Sequence, residues 1–252
     1  MRVIVTRPAA QAAEWVARLG ALGIDAQALP LIGIAPAPDA AAVTIAWATL
    51  AQHQLVVLVS PNAARHFFAA RPAGTHWPEG VLAASTGPGT TEALRGFNVP
   101  AAQIVAPADD AAQFDSEALW AQLAPRSWRG ASVLIVRGDG GRDWLAESLR
   151  GQGAQVHALA AYHRVAPLLT PAQQELLDAA LASPQQHLWL FSSSEAIDHL
   201  AAMAPGAGWS QAHAIATHPR IAARAQQLGI TRVAASRPDP DSVAACIQSL
   251  RP

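Results

Sequence analysis

Two stretches constrain the fold more than anything else in the chain: LVVLVSPNAARHFF at 55–68 and LWLFSSSEAIDHL at 188–200. In each, an unbroken apolar run stops at small polar residues and a helical pattern begins at once, which is how a buried parallel strand hands over to a helix. Ser60, Pro61 and Asn62 fall at the first handover, and Ser192, Ser193 and Ser194 at the second. A hydroxyl there caps a helix, proline is tolerated in its first turn, and the free N–H groups can hold an anion. Similar strand and helix patterns alternate along the whole chain, so the expected class is α/β, with parallel sheets covered on both faces.

The order supports a duplication. RVIVTRPAAQAAEWVARLGALGIDAQALPLI aligns with SVLIVRGDGGRDWLAESLRGQGAQVHALAAY, setting Arg7 against Arg137 and Gly23 against Gly153, while Ser60 aligns with Ser193 at nearly the same offset. Segments rich in proline follow residue 35 and precede residue 171, which favours one unit inserted in another. The expected organisation is a discontinuous first domain from 1–35 plus 168–252, a second domain over 38–160, and linker strands at 29–37 and 160–168. Residues 25–35 read as one extended segment, and Gly138-Asp139-Gly140-Gly141 as the turn after a strand ending at Arg137.

Composition narrows the partners. With 252 residues and 51% hydrophobic content the chain can bury a full core, and a net charge of −1 argues against general nucleic-acid or polybasic membrane binding. Every basic side chain is arginine, which composition bias explains as readily as carboxylate binding does at individual positions. The single cysteine, Cys246, excludes an internal disulfide and reads as a small apolar helix residue. Met1 leads directly into a strand, with no leader-like or membrane-spanning run, so a soluble cytoplasmic protein is expected. No histidine pair has metal-ligand spacing, neither serine turn has the G-x-S-x-G elbow, and the 138–141 turn lacks the spacing of a dinucleotide or P-loop motif.

Ligands of open parallel sheets bind beyond the carboxyl ends of the strands, where Thr6, Arg7, Ser60, Asn62, Gly87, Thr90, Arg137, Ser192, Ser193, Thr217, His218 and Ser236 fall. Hydroxyls, small residues and two arginines suit anion binding better than proton abstraction. Each hydroxyl has a plain alternative use as a helix cap, and each arginine as a surface ion pair. Tyr162, the one tyrosine, lies in the second linker strand, where it either packs its ring or turns its hydroxyl to the space between the units.

VIVTRP, LPLIGIAP, LVVLVSPNAARHF, GPGTTEAL, SVLIVRGDGGRDWLAESLRGQGAQV with AYHR, and LFSSSEAIDHL follow one another as in uroporphyrinogen-III synthases, a resemblance covering essentially the whole chain. It implies two flavodoxin-like domains, the outer one split between the termini, joined by a two-stranded antiparallel ladder, and neither metal nor organic cofactor. It implies cyclisation of a linear tetrapyrrole, hydroxymethylbilane, to uroporphyrinogen III with loss of water and inversion of ring D, in the cleft between the domains. By resemblance Tyr162 is the acid, Ser60, Asn62, Gly87, Thr90, Ser193 and Ser194 line the cleft, and Arg7 and Arg137 hold carboxylates. One motif departs: where the family often has Gly-x-x-Thr-Ala, this chain has Thr217-His218-Pro219-Arg220-Ile221, which passes those contacts to Thr217, His218 or the main chain. A monomer with transient contact to the preceding pathway enzyme is expected. The competing class is a non-catalytic two-domain polyanion-binding protein or sensor, which the same turns would serve.

Overall fold

The structure, a computed structural model, describes residues 1–250. In chain order it runs β1 (Arg2–Val5), α1 (Ala9–Ala21), β2 (Ala26–Ala28), β3 (Gly33–Pro36), α2 (Ala40–Ala48), β4 (Leu55–Leu58), α3 (Pro61–Ala69), β5 (Leu82–Ser85), α4 (Pro88–Gly96), β6 (Ile104–Val105) and α5 (Ser116–Leu123). It continues with β7 (Ser132–Gly138), α6 (Trp144–Gly151), β8 (Gln155–Val165), α7 (Pro171–Ala182), β9 (His187–Phe191), α8 (Ser194–Met203), β10 (His213–Ala216), α9 (Pro219–Leu228), β11 (Arg232–Ala235) and α10 (Pro240–Ser249). Among these helices none is long and apolar enough to cross a membrane.

The chain divides into two compact units: Met1–Ile34 together with the segment from Val165 onward makes the first, and Ala35–Arg164 the second. The first is built on a sheet ordered β2-β1-β9-β10-β11, the second on one ordered β3-β8-β7-β4-β5-β6. The pairings between β1, β2, β9, β10 and β11 in one sheet, and between β4, β5, β6, β7 and β8 in the other, are all parallel. β1 is equivalent to β7, β2 to β8 and β9 to β4, so both sheets share one order although the chain enters them at different points. Register agrees as well: Val3 lies beside Ala26 and Leu188 in one sheet, Val133 beside Val156 and Leu55 in the other. The strand order reverses between β1 and β9, and between β7 and β4. Such a reversal opens a crevice at the carboxyl end of an α/β sheet.

Two-residue periodicity sends alternate side chains of a central strand into opposite layers. In β9, Leu188 and Leu190 join Val3, Val5, Trp15 and Leu19 on one face, while Trp189 and Phe191 join Leu176, Leu200 and Trp209 on the other. In the second unit, Leu55, Val57, Val133 and Ile135 pack under α5 and α6. Elsewhere in that unit Trp47 stacks on Phe67 at 4.7 Å and Phe68 on Phe97 at 4.5 Å. The buried Trp47 indole donates to Phe67 O at 2.7 Å, so its polar edge is satisfied.

The segment read as continuous over 25–35 is two strands in two sheets. Leu29 and Leu31 still donate to Val5 O and Thr6 O and are fully buried in the first unit, so they end one sheet before β3 begins at the edge of the other. β3 and β8 run in opposite senses: Gly33 lies against Val165 and Ala166, while His163 Nδ1 meets Pro36 O at 2.7 Å. A Cβ on Gly33 would sit 2.5 Å from the Val165 side chain, so any larger residue at this crossing would displace Val165. The linking strands are therefore continuous with the second unit's sheet.

Candidate functional site

In the second unit the crevice between β7 and β4 is shaped by a bulge. Arg137 pairs with Ala160 but Gly138 pairs with Tyr162, which leaves Ala161 as an extra residue on β8. An extra residue shifts the alternation, so Ala161 and Tyr162 are both buried although adjacent in sequence. The Tyr162 ring covers Gly138: a Cβ there would lie 3.0 Å from Cζ and 3.2 Å from the hydroxyl. His66, on α3, stacks on the same ring at 5.7 Å, and burial holds its imidazole below the usual histidine pKa. The phenol thus has a fixed position, and its hydroxyl lies 3.1 Å from Ser60 Oγ. Ser60 caps α3, accepting from Ala63 N–H at 3.0 Å, and Asn62 is buried in the first turn behind it. At 1% exposure Tyr162 does not project into open space; its hydroxyl is turned to Ser60.

Tyr162 borders a recess of about 150 Å³ with an apolar floor that includes Val59, Ile135, Leu145 and Ala158. Arg137, Arg142, Arg150 and Arg164 also line it, with Asp143 as the acidic side chain among the lining residues. Arg137 donates to Asp143 Oδ1 at 2.6 Å, the ordinary ion pair that was its plain alternative. Arg142 grips Glu117 through two bonds, Nη2 to Oε2 measuring 2.8 Å, and this hydrogen bonding raises the guanidinium pKa. Arg150 donates to Val156 O at 3.2 Å and the Arg164 N–H to Asp139 Oδ1 at 3.3 Å. Gly87 caps α4 with extended backbone and is a close fit, since a Cβ would approach that of Phe114 to 3.1 Å. Thr90, in the next turn, is buried.

The first unit presents the equivalent crevice between β1 and β9. Thr6 Oγ1 donates to Leu190 O at 2.7 Å, tying those strands together at their ends. Arg7 folds back along α1, donating to Gln11 Oε1 at 3.2 Å with its guanidinium 4.1 Å above the Trp15 ring. Burial lowers its pKa to about 10, opposed by the charge of Glu14, and its Nε is buried with no acceptor among the described residues. Arg7 is therefore not a surface ion pair. Ser193 occupies the cap of α8 without a side-chain cap bond, and Ser194 opens that helix. Thr217 ends the β10 edge of the crevice through Thr217 N–H to Phe191 O at 3.1 Å. His218 is the cap of α9: Nδ1 accepts from Arg220 N–H at 3.1 Å.

The proposed residues thus form two sets, Ser60, Asn62, Gly87, Thr90, Arg137 and Tyr162 in one unit and Arg7, Ser193, Ser194, Thr217 and His218 in the other. Sequence reasoning missed Arg142, Arg150 and Arg164 around the recess, and Gly138 as the floor under Tyr162. The available signal was the density of arginine in RGDGGRDW and YHR, set on either side of a strand pair. Among the described residues no group of three His, Cys, Asp or Glu side chains is placed to hold a metal ion.

The profile of the family described as Uroporphyrinogen-III synthase HemD matches residues 13–245. The uroporphyrinogen-III synthase of Salmonella typhimurium is 33% identical over 167 residues, and that of Escherichia coli 30% over 171. In both cases the match spans 66% of this chain and 66% of the relative. The crystal structure of uroporphyrinogen-III synthetase from Helicobacter pylori shares the fold, with a TM-score of 0.59, 16% identity and full coverage of both chains. With a matching profile over most of its length and the sheet order above, this chain belongs to the uroporphyrinogen-III synthase family.

Proposed function

We propose that the protein is a cyclising hydro-lyase that converts hydroxymethylbilane to uroporphyrinogen III with loss of water and inversion of ring D. The observation that supports this best is the Tyr162 ring, held over Gly138 with its hydroxyl on Ser60, at a recess lined by four arginines. The substrate is a flexible polycarboxylate that closes in water without inversion, so the main task is to hold it in one geometry. Guanidinium groups and helix-start N–H groups suit carboxylates, and an apolar floor suits pyrrole rings. The terminal C–O bond breaks with a proton drawn from the Tyr162–Ser60 hydroxyl pair, giving water and an azafulvene cation equivalent. The substituted carbon of ring D attacks that carbon, and the spiro intermediate fragments and recloses in the reversed sense. Ring carbon then loses its proton as aromaticity returns, so the net change is loss of one water.

Of the groups at hand, Tyr162 has the proton required, and His66 stacked on it is held towards its neutral form by burial. In the same reading the first unit's crevice, with Ser193, Ser194 and the α8 start, holds further carboxylates, and the enzyme acts as a monomer in the cytoplasm. The test is to incubate the protein with hydroxymethylbilane, oxidise the product and separate the isomers. Isomer III is the expected product; isomer I alone would refute the proposal.

A further inference from the structure

We infer that Ser60, not Tyr162, delivers the proton to the leaving hydroxide, with Tyr162 supplying it through the Ser60 hydroxyl. This rests on the proposed cyclisation. A serine hydroxyl has one proton to donate and two lone pairs to accept with. One lone pair of Ser60 Oγ takes the Ala63 N–H at 3.0 Å, and Tyr162 lies 3.1 Å away. The sense of that second bond follows from burial. Tyr162 is 1% exposed and, among the described residues, its hydroxyl has no hydrogen-bond partner besides Ser60. Were Ser60 the donor, the buried phenol proton would have no acceptor, a costly arrangement. With Tyr162 donating, the buried phenol proton is satisfied and both lone pairs of Ser60 are filled. The Ser60 proton is then left directed away from Ala63 and Tyr162. Ser60 is also the more exposed of the two, at the start of α3, where the helix dipole favours the anionic side of a transfer.

The step balances without any further reagent. As the C–O bond of the substrate breaks, its oxygen takes the Ser60 proton and leaves as water. Ser60 Oγ takes the Tyr162 proton in the same event, leaving a phenolate. When the inverted ring has closed, the proton shed by its ring carbon returns through Ser60 to Tyr162.

The experiment compares Ser60→Ala, Ser60→Asn, Ser60→Thr, Tyr162→Phe and the double variant Ser60→Asn/Tyr162→Phe, measuring kcat and KM for isomer III formation. Asn caps a helix as well as Ser does but relays no proton, and Thr does both. The expected result is a kcat loss of about 10²-fold or more in Ser60→Ala, Ser60→Asn and Tyr162→Phe alike, with KM little changed, a double variant no slower than either single one, and recovery in Ser60→Thr. Wild-type kcat in Ser60→Asn together with a slow Tyr162→Phe would overturn the relay and leave Tyr162 in direct contact with substrate. Multiplying losses in the double variant would overturn it too. Failure of the underlying reading looks different: the unmodified protein would then yield isomer I alone.

Discussion

Gly138→Ala tests whether the Tyr162–Ser60 geometry is set by the space above a single glycine. The added Cβ would lie 3.0 Å from Cζ, 3.1 Å from Cε2 and 3.2 Å from the hydroxyl of Tyr162, several tenths of an ångström inside ordinary contact. Gly138 is in a strand and is not among the glycines with positive φ, so backbone strain is not at issue. Two terms oppose. Replacing glycine inside a strand gains roughly 0.5–1 kcal/mol in chain entropy, and overpacking a well-filled site costs about 1–3 kcal/mol. The ring can relieve the clash by moving outward, which stretches its 3.1 Å bond to Ser60 and forfeits about 1 kcal/mol. The net destabilisation is about 1–2 kcal/mol, or a melting temperature lower by roughly 2–8 °C for a chain of this size. Activity should suffer more than stability, because a displacement near 1 Å at a reacting group costs on the order of 10²-fold. Gly140→Ala is the control, since a Cβ there meets nothing within 4 Å. Thermal melts and isomer III rates of the two variants give the answer. If Gly138→Ala matched Gly140→Ala in both, the ring would not be held by that contact.

Three other outcomes follow from the geometry. His53, His66 and His213 all lie below the ordinary histidine value of 6.5, pushed down first by burial, with His157 adding to the effect on His53 and Arg232 on His213. Their unfolded forms take up protons below about pH 6.5 while the folded forms resist, so stability is full above that pH and falls as pH drops below it; a melting temperature unchanged from pH 7.5 to 5 would contradict this. Thr170→Ala breaks the capping box in which Thr170 Oγ1 and Gln173 serve each other's backbone N–H, at a cost of about 1 kcal/mol visible as a melting temperature a few degrees lower. Arg142→Ala removes a bidentate pair whose side chains are 47% and 41% exposed, so stability should change by less than about 1 kcal/mol while KM for the tetrapyrrole rises.

What was legible in the residues was whatever is decided locally. α7, α8 and α9 begin at Thr170-Pro171, Ser193-Ser194 and His218-Pro219, start signals that lie within one turn of the helix, and Gly229 stops α9 in the left-handed region. The duplication was legible for the same reason, since matched strand ends carry matched turns. What could not be read depends on pairing across the sheet. Nothing in RGDGG announces that Gly138 continues β7, because the reason is a ring that arrives from Tyr162 through a bulge on the neighbouring strand. The split of residues 25–35 was hidden too: all its side chains suit a strand, and only the burial of Leu29 and Leu31 against one sheet separates them from Gly33–Pro36 in the other. Arg7 and Arg137 align in sequence yet differ in use, one stacked on Trp15 and the other paired with Asp143, because α1 offers an aromatic ring where the start of α6 offers a carboxylate.

That difference bears on where the chemistry lies. The two units match strand for strand, with Val3 beside Ala26 where Val133 is beside Val156. Carried on at that spacing, Gly138 corresponds to Pro8 and Tyr162 to Ile32. Ile32 is buried and apolar, and position 8 is proline where position 138 is glycine. The serines differ in the same direction: Ser60 is held by Ala63 N–H and faces a phenol, whereas Ser193 makes no side-chain cap bond. One duplicated frame therefore sets a tyrosine against a helix-capping serine in the second unit alone. The first unit keeps a helix start and a serine without a cap bond, groups suited to holding an anion, and has no tyrosine behind them.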